Sequence, residues 1–264
     1  MASLYETHLH TREGSGCGVS SGREYVQRYL DLGYTGIIIT DHFYRGNCAV
    51  SRMLSWEKWV HKFCRGYEIA REEGARRGLD VFFGWEESFQ GDDYLVYGLD
   101  KEWLLEHPEA IHWTRKQQFD EVRRYGGCVV QAHPFRQQSH IRRIRLSTGC
   151  VDAVEAANAG NGDASCDALA YAYAQKLRLP VTSGSDVHSA YEVRDRVVMG
   201  VLLEKKMESI TDYVSAIRGG TIAGLRVSPK HFTLRGNEYV YLPVEIRDAN
   251  DKVTGKTLDE FFED

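Results

Sequence analysis

The chain has 264 residues, 42% of them hydrophobic and 27% charged, with a formal net charge of −5. That length suits one large α/β domain or two small ones, and mild acidity argues against broad electrostatic binding to nucleic acid, which rests on many Lys/Arg–phosphate contacts. No apolar run approaches the ~20 residues of a membrane span, and the start, MASLYETHLH, lacks the charged-then-apolar layout of a secretory signal. Six cysteines lie scattered at 17, 48, 64, 128, 150 and 166 without a CxxC, which predicts reduced thiols and a cytoplasmic location rather than a disulfide framework.

The first element is a strand, LYETHLH. Residues i and i+2 of a strand share a face, so His8 and His10 project together, as one metal ion would require. A capping box of Ser21 and Glu24 opens a helix over REYVQRYLDL, which Gly33 closes. TGIIITDH is a near-continuous apolar strand. Trp56, Val60, Phe63, Tyr67 and Ala70 form an i, i+3/i+4 stripe, predicting one long helix that ends near Gly78 and packs on the core. The strands LDVFFGWEES and DYLVYGL follow. Thr114 and Gln117 cap a helix that carries Phe119 and Val122 and stops at Gly126. The remaining strands are GCVVQAHP, VDAVEAAN and PVTSGSDVH. DASCDALAYAYAQKLRL and SITDYVSAIRGG supply two further helices. Beyond about residue 225, YVYLPVEIRDANDKVTG reads as a hairpin turning near Asp248–Asp251, and an acidic tail, DEFFED, ends the chain. The expected organisation is a domain over 1–225, with residues 226–264 packed on it.

Repeated β-then-α, with strands apolar on both faces, predicts a parallel α/β fold, either a closed barrel or a doubly wound sheet. Polar side chains of metal-ligand type end nearly every strand, among them Asp41 with His42 and Glu155 with Asn158. A barrel builds its site from many strand ends, whereas a doubly wound sheet concentrates it at one switch point. The barrel is therefore preferred. His8, His10, His42, Glu86, His133, Asp186 and His188 would converge at one mouth. They are too many for a single tetrahedral ion and fit two or three ions bridged by carboxylates.

HLH, ITDHF, GWEE, QAHPF and SDVH, in this order, resemble the motifs of the polymerase and histidinol phosphatase (PHP) superfamily over roughly residues 5–225. The resemblance implies a distorted (β/α)7 barrel, a multinuclear site of zinc, manganese or iron, and hydrolysis of phosphoesters. It implies that His8, His10, Glu86 and Asp186 hold one ion. Glu86 bridges to a second held by His133, and His42 and His188 hold a third. Glu86 is taken over Glu87 because the family's glutamate comes two residues after a glycine, here Gly84.

The sequence departs from the pattern twice. Where many members carry a metal-binding aspartate after HxHT, this chain has Ser15. Glu13 is the nearest carboxylate to replace it, and Cys17 is a weaker candidate. Where many have a histidine before Leu-x-Tyr-Gly, this chain has Asp93, a harder donor that favours manganese or iron over zinc. The count of two or three divalent ions stays open.

A phosphate also needs fixed donors, and guanidinium offers two-point contact. Arg136, directly after HPF, is the first choice and Arg12 the second; Arg142, Arg143 and Arg145 read as a solvated face. No cysteine-nucleophile motif is present. The reading is a stand-alone metal-dependent phosphoesterase acting on a phosphorylated small molecule or nucleotide. It is expected to bind no membrane and form no stable nucleic-acid complex, and its oligomeric state stays open. One alternative is a non-catalytic metal-containing sensor of nucleotide or phosphate. Another is an amidohydrolase, disfavoured because that class uses a metal-binding Lys on a middle strand and none ends a strand here.

Overall fold

The computed structural model describes residues 2–236 and 238–263. Met1, Asn237 and Asp264, which fall within the sequence-based domain ranges, lie outside the described residues.

The strands are β1 Ser3–Glu6, β2 Gly36–Ile39, β3 Asp80–Phe89, β4 Asp92–Tyr97, β5 Cys128–Gln131, β6 Ile144–Ser147, β7 Ala153–Asn158, β8 Val181–Gly184, β9 Val201–Leu203, β10 Gly224–Leu225 and β11 Val244–Arg247. The helices are α1 Gly22–Asp31, α2 Trp56–Phe63, α3 Arg65–Arg77, α4 Lys101–Glu106, α5 Arg115–Arg124, α6 Ala164–Leu177, α7 Ile210–Gly219 and α8 Leu258–Glu263. Nine strands form one sheet in the order β10-β9-β1-β2-β3-β4-β5-β7-β8. Just beyond β1 and β8, Leu9 and Val187 pair in parallel. That bridge brings the β8 edge of the curved sheet back to β1, and the fold is a nearly closed, distorted α/β barrel.

The seven strands read from the sequence before residue 225 all form, but not all are parallel, and the return arm of the hairpin read after it is reduced to a bridge between Arg247 and Val253. β4 runs antiparallel to both β3 and β5, and β9 runs antiparallel to β1. No helix separates β3 from β4. They turn through Gln90 and Gly91, at φ 59° and 95°, so a hairpin replaces one β/α unit. Tyr94, Leu95, Val96 and Tyr97 of β4 are all buried. Their continuous apolar pattern reports burial on both faces, which an enclosed antiparallel strand has as well as a parallel one.

Local signals account for the helices. Glu24 accepts from the Ser21 N–H (2.5 Å) and Gln117 from the Thr114 N–H (2.9 Å), so both capping boxes close. The helix expected as one piece is two, α2 and α3, meeting at Cys64. The break seats Gly66 against Gly22 at the start of α1, where a Cβ on Gly22 would strike the Gly66 carbonyl. The stripe itself packs as predicted: Val60 and Phe63 are buried in one cluster with Phe43, Trp59 and Trp85, Trp56 and Tyr67 pack against it, and Ala70 is buried in a neighbouring cluster. Below the sheet, Tyr213, Val214 and Ile217 of α7 pack with Tyr5, Leu95, Tyr97 and Val130. Each such large side chain contributes about 1.5–3 kcal/mol on full burial.

After residue 225 the chain keeps contact with the barrel. The turn at Asp248–Asp251 forms, with the Asp248 N–H donating to the Lys252 carbonyl (2.9 Å). The strand before it, β11, pairs in parallel with β6, a strand the sequence pattern did not disclose. Ile246 is buried there among Ile144, Leu146, Tyr173 and Phe261.

Candidate metal centre

The donors gather at one end of the sheet, the C-terminal end of every contributing strand but the antiparallel β4, which brings Asp93 there from its start. His8 and His10 follow β1, and His42 follows β2. Glu86 lies on β3 and Asp93 on β4. His133 follows β5, and Asp186 and His188 follow β8. The structure gathers all eight at one cavity. Donor atoms lie within 4.8 Å of one another in four overlapping groups: His10–His42–His188, His8–His133–Asp186, His8–His10–Glu86 and Glu86–Asp93–His133. Glu86 is the hub, with Oε1 3.1 Å from His133 Nε2 and 3.3 Å from His8 Nε2, and Oε2 2.8 Å from His42 Nδ1.

The donors are held by a ring of partners that leaves their inner atoms free. Glu155 Oε1 sits 3.0 Å from His8 Nδ1, which places the proton there and turns Nε2 inward. Ser15 Oγ lies 3.1 Å from His10 Nδ1. Arg136 Nη1 holds Asp186 Oδ2 at 2.6 Å, leaving Oδ1 3.0 Å from His10 Nε2. Beneath them Glu6, fully buried, accepts from the N–H groups of Thr7, His8 and Ser185 and from the Tyr29 hydroxyl. This carboxylate stitches the end of β1 to the end of β8, and so fixes His8 relative to Asp186. Gly184 is required for the same closeness, because a Cβ there would lie 2.5 Å from that of His8. His133 and Asp186 both adopt left-handed backbone, at φ 30° and 53°, a strain that non-glycine residues carry mainly where function demands it.

The electrostatics are those of a site built for cations. Burial alone would suppress the charge on His8, but Glu155, Asp186 and Glu86 around it raise its pKa well above the usual value. Burial likewise opposes ionisation of Glu86 and Asp186. His42 and His8 overcome it for Glu86, and Arg136 and His8 for Asp186, so both carboxyls stay well below the normal range. Burial and the neighbouring His42 push His10 down to about 3. Near the mouth, His188 and His42 outweigh burial and lower the Cys17 thiol to about 6.

Two atoms decide whether metal fits. Glu86 Oε2 and His42 Nδ1 are buried and neither makes a hydrogen bond, although they stand 2.8 Å apart. His8 Nε2 and His10 Nε2 face each other at 3.1 Å. Such close-set buried nitrogen and oxygen donors, all turned toward one point, are the arrangement that a bound cation would satisfy. Imidazole and carboxylate donors at these separations fit zinc, iron or manganese.

Not every expected residue joins. Glu13 does not stand in for the missing aspartate. Its carboxylate accepts from the Ser21 hydroxyl (2.6 Å) and the Gly22 N–H (3.3 Å), at the start of α1, where the helix dipole favours it. Ser15 occupies the aspartate's place and buttresses instead: it donates to Asp41 (2.7 Å) and accepts from the His42 N–H (2.9 Å). Asp41 is turned toward the Thr11 N–H and hydroxyl, and burial lifts its pKa to about 6. Arg12 is 59% exposed and lies near Glu13 and Glu24. Arg136 does reach the cavity, but its Nε, Nη1 and Nη2 face Asn161, Asp186 and Asn158. Sequence reasoning missed Glu6 and the orienting role of Glu155. Glu155 was visible as a strand-end carboxylate; an acidic residue in a strand of buried neighbours was the sole hint of Glu6.

Outside the donors, the cavity of about 540 Å³ is lined by Cys17, Arg45, Asn47, Gln138 and His140. The six cysteines are unpaired, and among the described residues no helix is long and apolar enough to cross a membrane.

No protein-family model and no curated protein matches the sequence. Solved structures do. A two-domain protein from Bacteroides vulgatus, containing a predicted PHP-like metal-dependent phosphoesterase, superposes over 84% of this chain with TM-score 0.55 and 15% identity. This chain spans 64% of that protein's length. A protein from Bifidobacterium adolescentis named as a metal-dependent phosphoesterase matches over 81% of this chain and 96% of its own, with TM-score 0.51 and 17% identity. An amidohydrolase from Chromobacterium violaceum, with bound sulfate and no metal, has TM-score 0.49 at 13% identity, over 80% of this chain and 96% of its own. The chain thus has the fold of the PHP-like proteins, in agreement with the resemblance of its motifs.

Proposed function

We propose that the protein is a hydrolase of phosphate esters that depends on two or three divalent cations, and that its substrate is a phosphorylated small molecule or nucleotide. The observation that carries this reading is the convergence of eight imidazole and carboxylate donors on one cavity, with Glu86 within 3.5 Å of His8, His10, His42 and His133. His8, His10, Glu86 and Asp186 would hold one cation, His133, Glu86 and Asp93 a second, and His42 and His188 a third. Bound divalent ions neutralise an anionic ester and lower the pKa of a bound water from about 15.7 to about 7.

The chain's own residues prepare that chemistry. Glu155 and Ser15 fix the orientations of His8 and His10, and Arg136 presents Asp186 inward. His140, in the cavity wall, offers a donor group for an ester's outer oxygens, a part the sequence had given to Arg136 first and Arg12 second. The volume of about 540 Å³ suits a small phosphate ester or a mononucleotide. The unpaired cysteines support a reducing, cytoplasmic compartment.

The test is hydrolysis of an aryl phosphate, a bis(aryl) phosphate and a nucleotide panel. Activity is expected with manganese, is lost with chelator, and returns on metal addition. Metal-loaded protein that cleaves none of these esters overturns the proposal in favour of a non-catalytic binder; amide hydrolysis alone would assign it to the amidohydrolases.

A further inference from the structure

The segment after residue 225 connects to the metal centre through a line of hydrogen bonds. The 3-10 turn Pro229–Phe232 lies against α6. There the Phe232 ring stacks on Tyr171 (4.6 Å between centroids), and His231 Nδ1 lies 2.7 Å from Asp167 Oδ2. Asp167 is 1% exposed, and a buried carboxylate persists where its oxygens are answered. Its second oxygen, Oδ1, accepts from the Asn158 N–H (3.2 Å) and from Asn161 Nδ2 (2.8 Å). The side-chain oxygens of Asn161 and Asn158 in turn hold Arg136, at 3.0 Å from Nε and 2.6 Å from Nη2. Arg136 Nη1 is thereby aimed at Asp186. Asn158 also donates from Nδ2 to Glu155 Oε2 (2.8 Å), the carboxylate whose Oε1 sets the His8 tautomer. One buried carboxylate therefore stands behind two of the donors assigned to the same cation, Asp186 and His8.

Resting on the metal reading above, we propose that His231 and Asp167 are positioning residues of the metal centre. Neither touches the cavity donors. His231 clamps Asp167, and Asp167 acts through Asn158 and Asn161 to fix the Arg136 guanidinium and the Glu155 carboxylate, and with them the inward atoms of Asp186 and His8. The segment after residue 225 is then a working part of the centre as well as a cover for α6.

Manganese titration followed by calorimetry tests this without turnover. His231→Ala should weaken binding roughly tenfold, the low end of what loss of outer partners does. His231→Asn, which keeps an N–H donor for Asp167, should restore most of it. Phe232→Ala removes the stack on Tyr171 but leaves the imidazole; it should lower the unfolding midpoint and bind manganese like wild type. Asn161→Ala cuts the line inside a partly exposed loop and should weaken binding as His231→Ala does. Wild-type affinity in His231→Ala, an Asn variant no better than the Ala variant, or an equal loss in Phe232→Ala overturns the assignment and leaves the metal centre standing. Should His231→Ala fail to fold, Asn161→Ala decides by the same criterion. Wild type that takes up no manganese overturns the reading of the whole cavity, and this one with it.

Discussion

Asp92 and Asp93 are neighbours on β4 and have opposite fates. Successive side chains of a strand point to opposite faces. Asp92 points away from the cavity and is fully answered by protein. Arg115 donates from Nε to Oδ2 and from Nη2 to Oδ1, both at 2.7 Å, and the Tyr94 hydroxyl donates to Oδ2 at 2.8 Å. Arg115 in turn donates to the Phe89 carbonyl (2.9 Å). Asp93 points into the cavity, toward Glu86 and His133; one oxygen is held by Ser88, and the other lies 4.0 Å from His133 Nε2. Burial and the nearby Glu86 raise the pKa of Asp93. A buried charge with its counter-charge built in belongs to the scaffold. One set beside further carboxylates awaits a cation from outside.

The largest effect should come from breaking the self-contained pair. Asp92→Ala leaves Arg115, whose side chain is 6% exposed, with the more distant Asp251 carboxylate (3.5 Å) as counter-charge, and loss of one partner of a buried pair costs about 3–5 kcal/mol. Denaturant unfolding of metal-free protein should show this loss, with metal content per folded molecule unchanged. A small effect would mean that water reaches Arg115 and that the contrast with Asp93 is overdrawn.

Asp93→Ala should behave in the reverse way. Metal at a hundredfold excess over its dissociation constant stabilises a folded protein by about 2.7 kcal/mol. Wild type should gain stability of that order on loading and lose it with chelator. The Asp93 variant should unfold like wild type when metal-free and gain less from manganese. Equal gains in both proteins would remove Asp93 from the ligand set.

The orienting ring ranks next. Glu155 touches no donor atom that faces inward, but it fixes the His8 tautomer. Glu155→Gln should therefore weaken metal binding by roughly 10- to 100-fold, as removal of such outer partners does. Metal titration followed by calorimetry would measure it, and unchanged affinity would show that packing alone orients His8.

How far the sequence disclosed this molecule follows from the same contrast. Most of the converging donors were legible because they follow apolar strands, and the strand period of two places His8 with His10 and Asp186 with His188; Asp93, at the start of β4, was legible only through the resemblance of its motif. Strand direction was not legible, because a strand buried on both faces carries the same apolar pattern whether parallel or antiparallel, as β4 shows. Nor was β6, or its pairing with β11, which joins residues about a hundred positions apart in the chain and has no local signature. Partners of charged groups were the hardest to foresee. Asp92 and Asp93 are identical residues, and only the fold supplies Arg115 to one and not to the other.

Arginine makes the point a second time and yields the smallest prediction. Arg12 and Arg136 both follow a histidine motif, and both read as clamps for phosphate. The structure buries Arg136 against Asp186 and leaves Arg12 59% exposed, 3.7 Å from Glu13 and 3.9 Å from Glu24. Exposed ion pairs at such distances contribute between nothing and about 1 kcal/mol and are screened by salt. Arg12→Ala should accordingly shift stability by under about 0.5 kcal/mol, as surface substitutions generally do, and leave KM for an aryl phosphate where it was. A raised KM that worsens as the substrate gains negative charge would show that the loop after His10 swings inward to meet the substrate. In that case the outer partners of Arg12, unlike those of Arg115, are placeholders for an anion.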